Sequence, residues 1–88
     1  MSKTLWLSKN LSRVARGREG FEVDGDSVGD CINDLISIVP AMKDTLFYQS
    51  ALNRAVEVQV NKRVIDEGDR LTKSVKDGDE IRVMFKGH

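Results

Sequence analysis

One run in this chain has helical spacing, and it constrains everything around it. Val28, Cys31, Ile32, Leu35 and Val39 fall three and four positions apart, with Asn33, Asp34 and Ser37 turned away from them. At 3.6 residues per turn such positions gather into a single apolar stripe. Ser27 and Asp30 give an S-x-x-D start, in which the serine caps a backbone N–H and the acid favours the positive end of the helix. The helix is expected to begin at Ser27 or Val28. Pro40 cannot continue it without losing a hydrogen bond, so it ends there. A lone amphipathic helix needs an apolar sheet face to cover its stripe.

The flanking residues supply that sheet. Leu5 and Leu7 alternate with Thr4, Trp6 and Ser8, and Phe21 and Val23 alternate with Glu22 and Asp24, the period of half-buried strands. Lys9 to Gly20 between them is polar and reads as a long hairpin connection, so the two strands should pair antiparallel. After Pro40, Met42, Leu46 and Phe47 are expected in a loop with one or two helical turns. Val56, Val58 and Val60 alternate as a third strand, Asn61-Lys62 sits at a hairpin turn, and Val64 and Ile65 form a short fourth. Leu71 and Val75 plug the core from an irregular link. Asp77-Gly78 turns the chain into a last strand in which Ile81, Val83 and Phe85 point inward. The expected fold is α+β: a roll in which a four- to five-stranded mixed sheet packs on one main helix.

With 88 residues the chain is expected to be a single domain, 1–88, with residues 86–88 as a flexible tail. No internal repeat or low-complexity stretch divides it. Lys+Arg and Asp+Glu both total 14, and a net charge of zero argues against general binding to a phosphate backbone. The longest apolar run, Leu35 to Val39, is far shorter than the ~20 residues of a membrane span. No apolar leader follows Met1, which points to a cytoplasmic location. Cys31 has no partner for a disulfide and lies on the helix stripe, where core packing explains it. Asp24, Asp26 and Asp30 lack the ligand set of a calcium loop, and their turn and cap positions account for them. His88 has no second metal ligand nearby, and Gly25 with Gly29 makes no nucleotide-binding glycine loop. No metal site is expected.

The order of elements, with Ser27-Val28-Gly29-Asp30 opening the helix, Val60-Asn61 at the hairpin, Leu71 in the link and Val75-Lys76-Asp77-Gly78-Asp79-Glu80-Ile81 before the last strand, resembles the MoaD/ThiS family of sulfur carriers. The long first connection and the segment from Pro40 to Ala55 are more similar to the MoaD branch. The resemblance implies a ubiquitin-like β-grasp fold and a protein that is no enzyme and binds no cofactor. Its C-terminal carboxylate would be adenylated by a MoeB- or ThiF-like activating enzyme, which uses ATP, and converted to a thiocarboxylate. Sulfur would then pass to a MoaE-like or ThiG-like enzyme of molybdopterin (or tungstopterin) or thiamine biosynthesis.

Such tails end in glycines because the carboxylate threads a narrow channel in which side chains collide. Here the sequence reads Lys86-Gly87-His88, so only Gly87 matches a family glycine, Lys86 stands where another would be, and His88 occupies the end. Two accounts stay open: removal of His88 exposes Gly87, or the fold persists as an interaction module that has lost carrier chemistry. In a β-grasp order the first and last strands are neighbours, which puts Trp6, Arg82 and Met84 on the outer sheet face as a candidate docking patch, with Arg82 placed to stack on the indole. The plainer account is a lone tryptophan covered by its neighbours. Lys9, Arg13, Arg16 and Arg18 make the first connection basic. Because Glu19, Glu22 and Asp24 follow at once, a solvated loop is the favoured reading. An RNA-associated β-grasp domain of the TGS kind would use that loop, and the zero net charge counts against it.

Overall fold

The computed structural model describes residues 3–86. In chain order the elements are β1 (Lys3–Leu7), α1 (Lys9–Ser12), β2 (Gly20–Val23), α2 (Val28–Ile38), α3 (Met42–Leu46), β3 (Phe47–Tyr48), β4 (Ala51–Leu52), β5 (Val56–Val60), β6 (Arg63–Val64) and β7 (Glu80–Phe85). Five of the strands form one sheet in the order β2-β1-β7-β5-β6. β1 and β7 run parallel, and the other neighbouring pairs are antiparallel. The sheet is therefore mixed, with the last strand at its centre, and α2 closes one face. This is the ubiquitin-like β-grasp architecture, with five strands.

Alternation sets the faces. Leu5, Leu7, Phe21, Val23, Val56, Val58, Val60, Ile81 and Val83 are all buried, as are Val28, Cys31, Ile32 and Leu35 of α2. These side chains make one core, to which Leu11, Met42, Leu46, Leu52 and Val75 add from the connections. Ser27 caps α2 as expected, its Oγ accepting from the Asp30 amide at 3.1 Å. The link toward β7 supplies two more acceptors: Val28 N donates to Lys73 O and Gly29 N to Leu71 O, both at 2.9 Å. Position 29 must be glycine for that approach, because a Cβ there would lie 2.8 Å from the Leu71 carbonyl oxygen. α2 stops at Ile38, before Pro40. Asn61 and Lys62 form the β5–β6 turn with φ of 51° and 71°, the paired left-handed conformation of a two-residue hairpin.

Three expectations need correction. Lys9 to Gly20 is not a plain polar loop: it holds α1 and a 3-10 turn at Arg13–Ala15, and Gly20 already belongs to β2. Leu11 is fully buried, and core burial is what folds this stretch. The segment 41–50 has its helical turn, α3, but then enters a two-strand hairpin, β3–β4, that was not expected. Its turn is built by Gln49 and Ser50 at φ 51° and 68°, residues that do not signal such a turn. The short fourth strand of the main sheet comprises Arg63 and Val64, not Val64 and Ile65, and Val64 is exposed. Lys3, which opens β1, lies on the inner side of the strand, buried, with Nζ 3.5 Å from Asp77 Oδ1.

Candidate functional site

The pairing of the central strands brings the three predicted docking residues onto one surface. Trp6 lies opposite Arg82 in the β1–β7 register, and Met84 follows two positions along β7 on the same face. Arg82 is exposed, while Trp6 and Met84 are half-buried. Gln59, opposite Arg82 on β5, donates from Nε2 to Glu57 Oε2 at 2.8 Å and lies 4.0 Å from Met84 Sδ. The face is thus a thioether and an indole framed by polar groups.

The expected stacking of Arg82 on the indole does not occur. Trp6 leans the other way, over Gly20, where an added Cβ would sit 2.8 Å from Trp6 Cζ3. Gly20, the partner of Trp6 in the β1–β2 register, is the seat the ring needs. The stacked arginine among the described residues is Arg18, whose guanidinium carbon lies 4.3 Å from the centroid of Phe21. Trp6 Nε1 and Ser8 Oγ are buried without hydrogen-bond partners among the described residues.

The predicted tail begins beside this face. Lys86, exposed, still donates its amide to Ala55 O at 2.7 Å, and Phe85 pairs with Val56. Gly87 and His88 lie outside the described residues. The turn that receives the Lys86 amide is held by a residue the sequence did not single out. Arg70 is 6% exposed, and its guanidinium donates to Asn53 O at 2.7 Å, Val56 O at 2.6 Å, Leu52 O at 3.3 Å and Glu67 O at 3.1 Å. A buried guanidinium saturated by carbonyls fixes its surroundings firmly, because each lost bond would leave a buried acceptor unpaired. Nothing in an Asp-Arg-Leu string announces this; the carbonyls converge only through tertiary structure.

Two ionisable groups are perturbed. Burial pushes the Cys31 thiol above its ordinary range, consistent with a packing role and against a thiolate at neutral pH. Asp79 is held below the usual carboxylate range, first by the Asn61 side-chain amide at 3.0 Å and then by the Lys76 backbone amide at 2.9 Å. Asp79 therefore fastens the turn before β7 to the β5–β6 turn. Among the described residues no cluster of His, Cys, Asp and Glu could hold a metal ion, and no helix is long and apolar enough to cross a membrane. Shallow grooves of about 450 and 640 Å³ lie between α2 and the β3–β4 turn and beside Asn61 and Lys73; neither includes Trp6, Arg82 or Met84.

The comparisons with known proteins agree with this geometry. A family model described as "ThiS family" matches residues 8–84. Among solved structures, SAMP1 from Haloferax volcanii is 27% identical, with each chain covered over its full length and a TM-score of 0.79. The structure of the Amycolatopsis orientalis BexX/CysO complex matches at 26% identity and a TM-score of 0.83, covering 98% of this chain and 97% of that one. A chain in the complex of subunits 1 and 2 of molybdopterin-converting factor from Helicobacter pylori shares the fold at 16% identity and a TM-score of 0.58, covering 100% of this chain and 97% of that one. No curated protein matches significantly.

Proposed function

Because the chain belongs to the ThiS family, we propose that it is a sulfur carrier that works through a thiocarboxylate on Gly87, formed after His88 is removed. Carriers of this family are not enzymes but substrates of E1-like activating enzymes. In the reaction proposed here, an oxygen of the Gly87 carboxylate attacks the α-phosphorus of ATP held by a MoeB- or ThiF-like enzyme, and pyrophosphate leaves. Sulfide from a sulfur donor then attacks the acyl carbon, the bond from that carbon to the phosphate oxygen breaks, and AMP leaves the thiocarboxylate behind. The acceptor is a MoaE-like or ThiG-like enzyme of molybdopterin, tungstopterin or thiamine biosynthesis, and the setting is the cytoplasm.

The observation that carries this reading is where the chain leaves the fold. The last strand is the centre of the sheet, and its final described residue is pinned to the turn that Arg70 clamps. Lys86, the root of the tail, lies beside the face of Trp6, Arg82 and Met84, so an enzyme docked there would find that root at a fixed offset. Complexes of BexX with CysO and of the two subunits of molybdopterin-converting factor, both in relatives, support partners of this kind.

ATP–pyrophosphate exchange by the activating enzyme tests the proposal, with the full chain and with the chain shortened to Gly87. Exchange that depends on the carrier is expected with the shortened form; none with either form would end the reading. A second reading, an interaction module without carrier chemistry, is favoured by Lys86 and His88, which depart from the family's glycines. It requires that deleting Gly87 and His88 leave partner affinity unchanged.

A further inference from the structure

We infer that residues 9–18 form a second docking surface, a rigid basic shelf beside the tail root that seats an acidic surface of the enzyme taking the tail. The inference rests on the carrier reading above. Topology puts the shelf there. β1 runs parallel to β7, so the connection leaving β1 lies at the end of the sheet where β7 stops. Ser8 N donates to Val83 O at 3.1 Å, and α1 packs against β7.

The charges in this connection are one-sided. Between positions 9 and 19 the chain carries Lys9, Arg13, Arg16 and Arg18 against the single acid Glu19, and Lys86 adds a cation at the tail root. Asp24 and Asp26 follow the far end of β2, and Asp77, Asp79 and Glu80 lie where β7 begins, at the opposite end of the sheet. The zero net charge thus conceals a local excess of bases at the tail end, because at the opposite end these acids are interleaved with Lys62, Arg63, Lys73 and Lys76. Such an excess orients an approaching acidic surface toward the tail end.

The shelf is also built in advance. Leu11 is fully buried beneath it. Ser12 Oγ donates to Lys9 O at 2.9 Å, and Gly17 N donates to Ser12 O at 2.7 Å. Arg18 is committed to the fold, its Nε donating to Gly20 O at 3.1 Å while it covers Phe21. Lys9, Arg13 and Arg16 are exposed, and none of them forms an ion pair among the described residues. Three free cations on a preformed surface bind with less ordering cost than the same cations on a mobile loop.

The test measures association with the activating enzyme as a function of salt. The variant Lys9→Glu/Arg13→Glu/Arg16→Glu is compared with Lys62→Glu/Arg63→Glu/Lys73→Glu, which makes the same change in net charge at the far end of the sheet. At about 50 mM salt the shelf variant is expected to associate at least ~10-fold more slowly than the parent, and the gap should fall below about 2-fold at about 500 mM. The far-end variant should stay within about 3-fold throughout. Lys9→Gln/Arg13→Gln/Arg16→Gln should fall between, and it carries the test if the glutamate variant fails to fold. Equal slowing by both triple variants, or none by either, would overturn the shelf while parent protein still converts to the thiocarboxylate. Tighter binding of a short RNA duplex than of the enzyme through these residues would also overturn it. A parent protein that neither binds nor is converted would overturn the carrier reading, and the shelf with it.

Discussion

Single residues here act mainly through what they hold in place. Arg70 is the clearest case, a guanidinium joined to four carbonyls of the 52–56 turn and the 66–70 link. Arg70→Met keeps much of the apolar stem but leaves the Leu52, Asn53 and Val56 carbonyls short of donors. It should cost about 3 kcal/mol or more in urea unfolding. Arg70→Lys, with a point charge in place of the fork, should recover only part of that loss. A cost under about 0.5 kcal/mol for Arg70→Met would show that water replaces the clamp. Nothing in the local sequence marks this role, since burial of an arginine depends on carbonyls that tertiary structure brings together from these two segments. The seat of Trp6 on Gly20 was equally hidden, although the shared face of Trp6 and Arg82 follows from alternation together with the β-grasp strand order.

Elements were legible where a period runs long enough. The stripe of α2 and the alternation of β1, β5 and β7 each recur over five or more residues, and their inner positions are buried, Val39 and Phe85 only in part. Ile32→Ala or Leu35→Ala should therefore cost about 2 to 5 kcal/mol, read from denaturant midpoints. A loss under about 0.5 kcal/mol at both would place the helix face wrongly. The short elements were illegible for physical reasons. α1 buries only Leu11 and Ser12, with Val14 and Ala15 partly covered, too little to stand out from a polar connection. The β3–β4 turn uses Gln49 and Ser50 where positive φ usually selects asparagine or glycine. Between elements, Asp79 supplies a pH-dependent tie. Its pKa is lowered in the folded state, so its contribution is present above the unfolded carboxylate range and is lost as pH falls through the folded value. Asn61→Gly keeps the left-handed turn but removes the amide bonded to Asp79. The stability gap between parent and variant should be larger at about pH 6 than at about pH 3. An unchanged gap would mean that Asp79 contributes nothing through Asn61.

At the scale of the whole molecule, the fold directs its end. A parallel first and last strand, a central β7 and a clamped turn place the tail root beside an outer face with an indole, a thioether and an arginine, and next to a basic connection. The resemblance to sulfur carriers was readable in the order of the motifs, and the family match over residues 8–84 agrees with it. The basic connection was discounted because Glu19, Glu22 and Asp24 follow it in sequence, whereas β2 carries Glu22 and Asp24 toward the opposite end of the sheet. The central claim is that this tail carries sulfur. Intact mass after incubation with the activating enzyme, ATP and a sulfur donor tests it most directly, using the full chain and the chain ending at Gly87. The account predicts a species about 16 Da heavier than the Gly87-terminated carboxylate, sulfur having replaced one oxygen. Unchanged mass for both forms, in an assay that converts the enzyme's own carrier, would contradict it.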